Sequence, residues 1–213
     1  MLRPLIPPAL QVDTYEGRAF VGLVPFTMRN VRAHRFLPAV PGTANFHETN
    51  VRTYVLRDGR EPGVWFFSLD AANRLAVLAA RTFFHLPYYY ADMDLQVDGA
   101  RVRYRSQRRG GAAGLQLSYG IGEPLPRSEP GTLQFFLAER YYLYTLDRQQ
   151  RLLRGQVHHR PYPLHAARVA QLDQSLLGAA AVTPDRELPL KLYSPGVDVE
   201  IFELRALGAL GRV

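Results

Sequence analysis

Short segments in which apolar and polar residues alternate, separated by turn sequences, run through most of this chain. Side chains of a strand point alternately to the two faces of a sheet, so this period of two is typical of strands with one buried face. Between the segments, "RDGREPG", "VDGAR" and "RRGGAAG" have the Gly and Asp content of hairpin turns. The predicted strands are 18–26, 50–57, 63–69, 88–97, 101–107, 114–121, 140–146, 154–160 and 197–205. The pattern predicts a large antiparallel sheet.

One segment, "AANRLAVLAARTFFH" at about 71–85, has helical periodicity instead. Ser68 or Asp70 is expected to cap its N terminus, and shorter helical turns are expected at 131–138 and 173–181. The residues expected near one face of the helix are Leu75, Leu78, Ala79, Thr82 and Leu86. The predicted fold is therefore α+β and mainly β. It is a curved antiparallel β-barrel with one covering helix, and such barrels often enclose a ligand cavity.

Length and composition indicate one globular domain, residues 1–213, with 47% hydrophobic and 21% charged residues. No apolar run approaches the roughly 18 to 20 residues that span a bilayer, so no membrane partner is expected. The chain has no cysteine, which excludes disulfides, thiolate nucleophiles and cysteine-based metal sites. We expect a cytoplasmic location.

The net charge of +7 comes almost entirely from arginine, because Lys191 is the only lysine. The strongest basic run is "RVRYRSQRR", 101–109, in which alternate arginines share one strand face opposite Val102 and Tyr104. This arrangement favours a solvated outer face over a nucleic-acid surface. A basic interaction module built on this run stays open as an alternative.

Several blocks of the chain, in order, resemble one family of bacterial proteins. They are "LRPLIPPALQVDTYEGRAFVGLVPF", "NVRTYV", "PGVWFFSLDA", "FLAERYYLYT" and "YSPGVDVEIF", which together span about residues 2 to 205. The chain is similar to the YqjF-like family of uncharacterised proteins, a branch of the acetoacetate decarboxylase-like superfamily. This resemblance implies a β-barrel around a small-molecule cavity.

The residues that would form a Schiff base in that superfamily are missing here. Acetoacetate decarboxylases carry a lysine pair after a proline, and the first lysine forms an imine with the keto acid while its neighbour depresses the pKa. In the matching stretch "FHLPYYYAD", Pro87 is kept and Tyr88 and Tyr89 occupy the lysine positions. A phenol cannot form an imine, and Lys191 lies far along the sequence. The resemblance therefore disfavours Schiff-base decarboxylation.

The same resemblance points to Glu48 in "FHETN" as the cavity acid, either a proton acceptor or a cation ligand, with a surface glutamate as the alternative. Arg52 and Arg81 are candidates for a carboxylate clamp or for structural ion pairs. The strand period places Tyr89 with Ala91, Met93 and Leu95 on the core-facing side, so Tyr89 is expected to point into the cavity. It places Tyr88 and Tyr90 against the helix or solvent.

Tyrosines of the segment "AERYYLYT" complete the set of candidates. Tyr141 and Tyr142 could hydrogen-bond a small polar ligand, or could simply form the barrel wall. The cluster "HHRPYPLH" has histidines, but His158 and His159 are adjacent on a strand and face opposite ways. We predict no metal site and no cofactor.

Members of the resembled family usually carry a further strand and turn ahead of "LRPLIPP". A missing strand would leave unpaired backbone groups on its neighbour, so a homodimer is possible. The leading interpretation is a protein that binds a small acidic or apolar metabolite. The alternatives are an enzyme of the hydratase, lyase or isomerase type that uses Glu48 and a tyrosine, and the basic interaction module.

Overall fold

Strands make up most of the chain described by the computed structural model, which covers residues 2–29, 45–184 and 190–207. The first strands are β1 (Gln11–Val12), β2 (Thr14–Tyr15), β3 (Arg18–Ala19), β4 (Val21–Met28), β5 (Phe46–Arg57) and β6 (Glu61–Ala71). Then come β7 (Tyr88–Asp98), β8 (Arg101–Arg108), β9 (Gly114–Pro124), β10 (Tyr142–Leu146), β11 (Leu152–His159) and β12 (His165–Gln174). The last are β13 (Leu192–Tyr193), β14 (Val199–Ile201) and β15 (Arg205–Ala206). The helices are α1 (Arg74–Phe83), α2 (Leu133–Ala138) and α3 (Leu176–Ala179), and Arg3–Leu5 forms a 3-10 turn. The mainly β prediction is confirmed.

The long strand β6 joins the two halves of the sheet. One edge of β6 pairs antiparallel with β5 over the length of both strands. The other edge is shared, because 64–65 pair with β10 and 69–71 pair with β7. Both of these pairings are parallel, so the prediction of a purely antiparallel sheet is wrong at β6. All other pairings in the described residues are antiparallel.

The main sheet stays open in the described part of the chain. Its strand order runs β13, β12, β9, β8, β7, β6, β10, β11, β14, with β5 branching from β6 and with β4 and β1 on β5. The ends of this path, β13 and β14, are not paired with each other. The prediction that the sheet closes into a barrel is therefore wrong for the described residues. The shared edge of β6 divides the strands into two branches instead.

Helix α1 is shorter than predicted and faces differently. It spans Arg74–Phe83, and the side chain of Asn73 accepts a hydrogen bond from the backbone N–H of Ala76, so Asn73 is the cap in place of Ser68 or Asp70. Both predicted caps belong to β6, which continues to Ala71. Leu75 and Leu78 are more than half exposed, and the helix buries Val77 instead. No helix in the described ranges is long and apolar enough to cross a membrane.

Strand β12 is the largest element that the sequence pattern does not predict. Its residues are mostly half-buried or exposed, so they show little apolar alternation. It pairs with β9 with two shifts of register. Residues 30–44 lie outside the described part of the chain, and β5 begins at Phe46.

The two faces of β5 are covered by different cores. Even-numbered positions from Phe46 to Tyr54 lie on what we call the helix face. On this face Phe46 packs with Ala71 of β6 and with Val77 of α1. Odd-numbered positions lie on the opposite face, where Val51 packs with Tyr104 and other buried side chains. Because both faces are covered, polar residues on either face of β5 are withdrawn from water.

Candidate functional site

Glu48 of β5 and Tyr88 of β7 form a buried hydrogen-bonded pair on the helix face. The Tyr88 hydroxyl donates to Oε2 of Glu48 at 2.9 Å, and the exposed fraction of Glu48 is 2%. Strand register brings them together, since Leu69 of β6 is paired with Asn50 on one side and with Tyr88 on the other. Helix α1 packs over Tyr88 from outside the sheet. The pair joins two residues that are 40 positions apart.

Burial changes the protonation of both members of this pair. Desolvation raises the pKa of Glu48 from 4.5 to about 8, although the Tyr88 hydrogen bond opposes this rise. Desolvation and the neighbouring carboxyl also raise the pKa of Tyr88, so the phenol stays protonated and acts as the donor. A carboxyl group that titrates near neutral pH can both give and take a proton.

Asn50 and Arg52 continue the polar row of Glu48 along the helix face of β5. Alternate residues of a strand are about 6.6 Å apart, so Glu48 and Arg52 are separated by roughly 13 Å. Asn50 is 4% exposed, and its Oδ1 atom has no hydrogen-bond partner in the described structure. The Nε atom of Arg52 is likewise buried and unbonded. Both atoms are therefore buried polar groups without a hydrogen-bond partner in the described structure.

Helix α2 fixes the position of the Arg52 guanidinium. The carbonyl of Leu137 in α2 accepts hydrogen bonds from Nη2 of Arg52 at 3.2 Å and from the hydroxyl of Tyr54 at 3.1 Å. The nearby Arg140 is paired with Asp13 at 2.7 Å. In the described residues, no carboxylate forms an ion pair with Arg52 itself. Arg52 is thus a half-buried cation without a counter-charge.

Tyr89 lies on the core-facing side of β7 as predicted, but Glu48 lies on the other side of the sheet. The ring of Tyr89 packs at 3.6 Å under the guanidinium of Arg108, which donates to both carboxylate oxygens of Asp70 at 2.8 and 3.2 Å. Burial raises the pKa of Asp70, and the Arg108 bonds oppose this rise. The expectation that Tyr89 shares a cavity with Glu48 is therefore wrong, because strand period alone does not tell which face of β5 Glu48 occupies.

The remaining predicted site residues lie elsewhere. Arg81 is exposed in the last turn of α1, 5.7 Å from the Tyr89 ring. Tyr141 donates to the buried carboxylate of Glu139 at 2.7 Å and stacks on His159. Tyr142 packs in the core of the opposite face, under Arg154. Of the predicted residues, the structure brings together Glu48 and Tyr88 and places Arg52 in line with them.

Asn50 is the site residue that sequence reasoning missed. Its signal is its spacing, since it stands two residues after Glu48 and two before Arg52 in a segment of alternating residues. The sequence predicts Asp70 only as a helix cap, because nothing in the local sequence reveals its partner Arg108, which lies 38 positions away.

The basic run of β8 faces solvent as predicted, and acidic residues of β7 lie beside it. Arg101 is paired across the strands with Asp98, and Arg105 with Asp94. Arg109 forms an ion pair with Asp92 at 2.6 Å. These aspartates reduce the positive potential that phosphate groups would require.

Comparison with known proteins shows the family. The sequence profile of DUF2071, whose members are described as uncharacterized conserved proteins, matches residues 1–198. The chain belongs to this family. It is 42% identical to the uncharacterized protein YqjF of Bacillus subtilis strain 168 over 207 residues, which cover 96% of this chain and 84% of that protein. The resemblance inferred from the sequence is confirmed.

Solved structures with the same fold include acetoacetate decarboxylases and their relatives. The acetoacetate decarboxylase of Legionella pneumophila is similar with a TM-score of 0.56 at 14% identity, covering 95% of this chain and 75% of that one. The enduracididine biosynthesis enzyme MppR in complex with pyruvate gives 0.58 at 14% identity, with 95% and 78% covered. An acetoacetate decarboxylase-like enzyme from Sphingomonas wittichii RW1 gives 0.57 at 12% identity, with 97% and 85% covered. The chain therefore has the acetoacetate decarboxylase-like fold.

The raised pKa of Glu48 predicts a pH-dependent stability difference between the protein and its Glu48→Gln variant. A carboxyl whose pKa is about 8 when folded and near 4.5 when unfolded favours folding less as pH rises between these values. The variant lacks this effect. The unfolding free energy of the variant minus that of the parent should therefore increase from pH 5 to 8, by up to about 1.4 kcal/mol per pH unit. Urea unfolding at several pH values measures the difference.

A matched control is Glu123→Gln, which changes an exposed glutamate. Its stability difference from the parent should stay constant across the same pH range. A constant difference for Glu48→Gln would contradict the raised pKa.

Proposed function

We propose that the protein binds a small carboxylic acid on the helix face of β5 without forming a Schiff base. The observation that carries this proposal is the half-buried guanidinium of Arg52, which has no carboxylate partner in the described residues and whose Nε atom makes no hydrogen bond. An unpaired cation withdrawn from water costs free energy, and an anion that binds there removes this cost.

The guanidinium of arginine matches a carboxylate better than it matches other singly charged anions, because its planar fork can donate two parallel hydrogen bonds to the two carboxylate oxygens. Leu137 already holds one arm of the Arg52 fork at 3.2 Å, which reduces the entropy that a ligand must take from this side chain. The guanidinium is thus oriented before the ligand arrives.

Asn50 and Glu48 supply the neighbouring contacts. The free Oδ1 atom of Asn50 accepts a hydrogen bond from a hydroxyl or amine of the ligand. Below pH 8 the carboxyl of Glu48 is largely protonated, so it does not repel an anion and can donate to a carbonyl oxygen. The row therefore offers an anion site at Arg52, an acceptor for a hydroxyl or amine at Asn50 about 6.6 Å away, and a proton donor at Glu48 roughly 13 Å away. A small oxo or hydroxy acid contacts neighbouring groups of the row and does not span it.

Two solved proteins of the same fold support this ligand class by their names. One is an acetoacetate decarboxylase and another is a complex with pyruvate, and both acetoacetate and pyruvate are oxo acids. Tyr88, which follows Pro87, contacts Glu48 through a phenol where an imine would require an amine. Lys191 adjoins β13, which is separated from β5 in the strand order by β12, β9, β8, β7 and β6. Its position supports binding without covalent chemistry.

The binding proposal predicts that Arg52→Gln weakens the affinity for pyruvate or acetoacetate by at least about tenfold, since a hydrogen bond to a charged group contributes about 1.5–3 kcal/mol. Isothermal titration calorimetry measures the affinity. Arg81→Gln is the matched control, because Arg81 is the other arginine suggested by the sequence and is exposed on α1; it should change the affinity less than twofold. Undetectable binding of both acids to the unaltered protein, or equal losses in the two variants, would argue against the site.

The absence of a Schiff base is tested by reduction with borohydride in the presence of pyruvate, followed by mass spectrometry of the peptides. We expect no pyruvate-derived adduct on Lys191, because its position is remote from Glu48 in the strand order. The Lys191→Arg variant, which has no side-chain amine, should give the same background as the parent. An adduct that appears in the parent and is lost in the variant would overturn this part of the proposal.

A second candidate function is acid–base catalysis on the same ligand, and the pKa of Glu48 near 8 favours it. Ionised Glu48 would take a proton from the carbon next to the carbonyl group, and the electron pair of that C–H bond would form an enolate. The Tyr88 hydroxyl donates its one hydrogen to Glu48 in this structure, and in the reaction it would shift to the developing enolate oxygen. Return of a proton from Glu48 to the carbon restores the acid.

In D₂O this cycle replaces the methyl hydrogens of pyruvate with deuterium, which NMR detects. Glu48→Gln should abolish the enzyme-dependent exchange, and Tyr88→Phe should reduce it about 10²-fold. The exposed variant Glu123→Gln should exchange at the parent rate. If the parent protein binds pyruvate but never accelerates exchange, the protein is a binder and this second candidate is rejected.

A further inference from the structure

A groove on the other side of the sheet is separate from the site of Glu48 and Arg52. Its volume is about 960 Å³, and its walls are mostly apolar. Trp65 of β6 lines it together with prolines of the N-terminal segment and with Leu146 of β10. Trp65 is paired with Thr53, an odd-numbered residue of β5, so it belongs to the opposite face. Ligand cavities of proteins commonly have about 300–1,000 Å³ and mainly apolar walls.

The N-terminal wall of the groove is anchored to the core. Ile6 and Leu10 are buried and pack with Val55 and Tyr144. Arg3 donates to the backbone carbonyls of Leu10 at 2.5 Å and of Pro7 at 3.1 Å, which ties the ends of this segment together. Proline restricts the backbone further because its ring fixes φ. The wall is thus held in place without a ligand.

The opposite wall is the turn between β10 and β11. Asp147 accepts hydrogen bonds from the backbone N–H groups of Gln149 and Arg151 and from Nε of Arg151. These bonds hold the Arg151 side chain at the edge of the groove, where it remains 65% exposed. A cation is therefore presented next to an apolar surface.

The charges of the groove are of one sign. The ionisable residues that line it are Arg57 and Arg151. Arg57 is paired with Asp58 and Glu61 at 3.4 Å, and Arg151 with Asp147 at 2.7 Å, but these carboxylates are not lining residues. A guanidinium has five N–H donors, so each arginine can still bind a ligand carboxylate.

We propose that this groove binds an amphipathic carboxylic acid of the medium-chain fatty acid class, with the hydrocarbon chain along Trp65 and the prolines and the carboxylate at Arg57 and Arg151. Apolar walls stabilise the chain by about 0.8 kcal/mol for each buried CH₂ group. The two arginines select an acid over a neutral molecule of the same length. This site does not depend on the function proposed for Arg52.

The chain contains a single tryptophan, so its fluorescence reports on this groove directly. We would titrate the protein with decanoate, following Trp65 emission and, in parallel, the heat of binding. Decanoate should give a saturable change with one site in both signals. The neutral analogue 1-decanol should bind at least about fivefold more weakly, because it lacks the charge that the arginines recognise.

Variants separate this site from others. Arg151→Gln should weaken decanoate binding about fivefold, while Arg148→Gln, an exposed arginine of the same turn that does not line the groove, should leave it unchanged. Arg52→Gln should also leave it unchanged, which keeps this test independent of the helix face. Binding heat without a change in Trp65 emission, no binding at all, or equal affinities for Arg151→Gln and the parent would each overturn the proposal.

Discussion

A parallel contact of only three residues joins β6 to β7, and the sheet depends on it. Residues 69–71 pair with 88–90, and this contact connects the branch of β7, β8, β9 and β12 to β5 and β6. Such a short pairing supplies few hydrogen bonds of its own. Next to it, the buried carboxylate of Asp70 accepts two bonds from Arg108 of β8, whose guanidinium lies on the ring of Tyr89. Loss of one partner from a buried ion pair costs about 3–5 kcal/mol, so removal of either Asp70 or Arg108 is expected to weaken this junction.

The same contact builds the candidate site on its other side. Alternation along β7 places Tyr88 on the helix face once Tyr89 is held by Arg108, and Tyr88 there reaches Glu48 at 2.9 Å. Helix α1 follows directly from β6 and closes over the pair, so the carboxyl loses water and its pKa rises. On β7, Tyr89 therefore packs at the junction with Arg108, while its neighbour Tyr88 contacts Glu48 in the candidate site.

Asn50 and Arg52 on the helix face are two of the five residues in the described structure whose buried side chains keep a polar atom without a hydrogen-bond partner. Most buried polar atoms in proteins are hydrogen-bonded, yet Asn50 and Arg52 each keep an unbonded atom in the described structure. These two residues alternate on one strand with Glu48, so the three groups form a row with fixed spacing. The groove at Trp65 has the contrary character, since its interior is apolar and its charges lie at the edge. The two faces of the sheet thus differ in polarity at the places where we propose ligand sites.

Local sequence determined what depends on neighbours along the chain: the strands from β4 to β11, the helix α1 and the solvated face of β8. Only the tertiary structure decided that β6 shares its edge, that Asn73 caps α1, and that Tyr88 and not Tyr89 meets Glu48. It also decided that Arg52 has no carboxylate partner among the described residues. The physical reason is that register, burial and pairing are set by contacts between strands that are distant in the chain, such as β6 and β7, and the period of a single strand contains no information on these contacts.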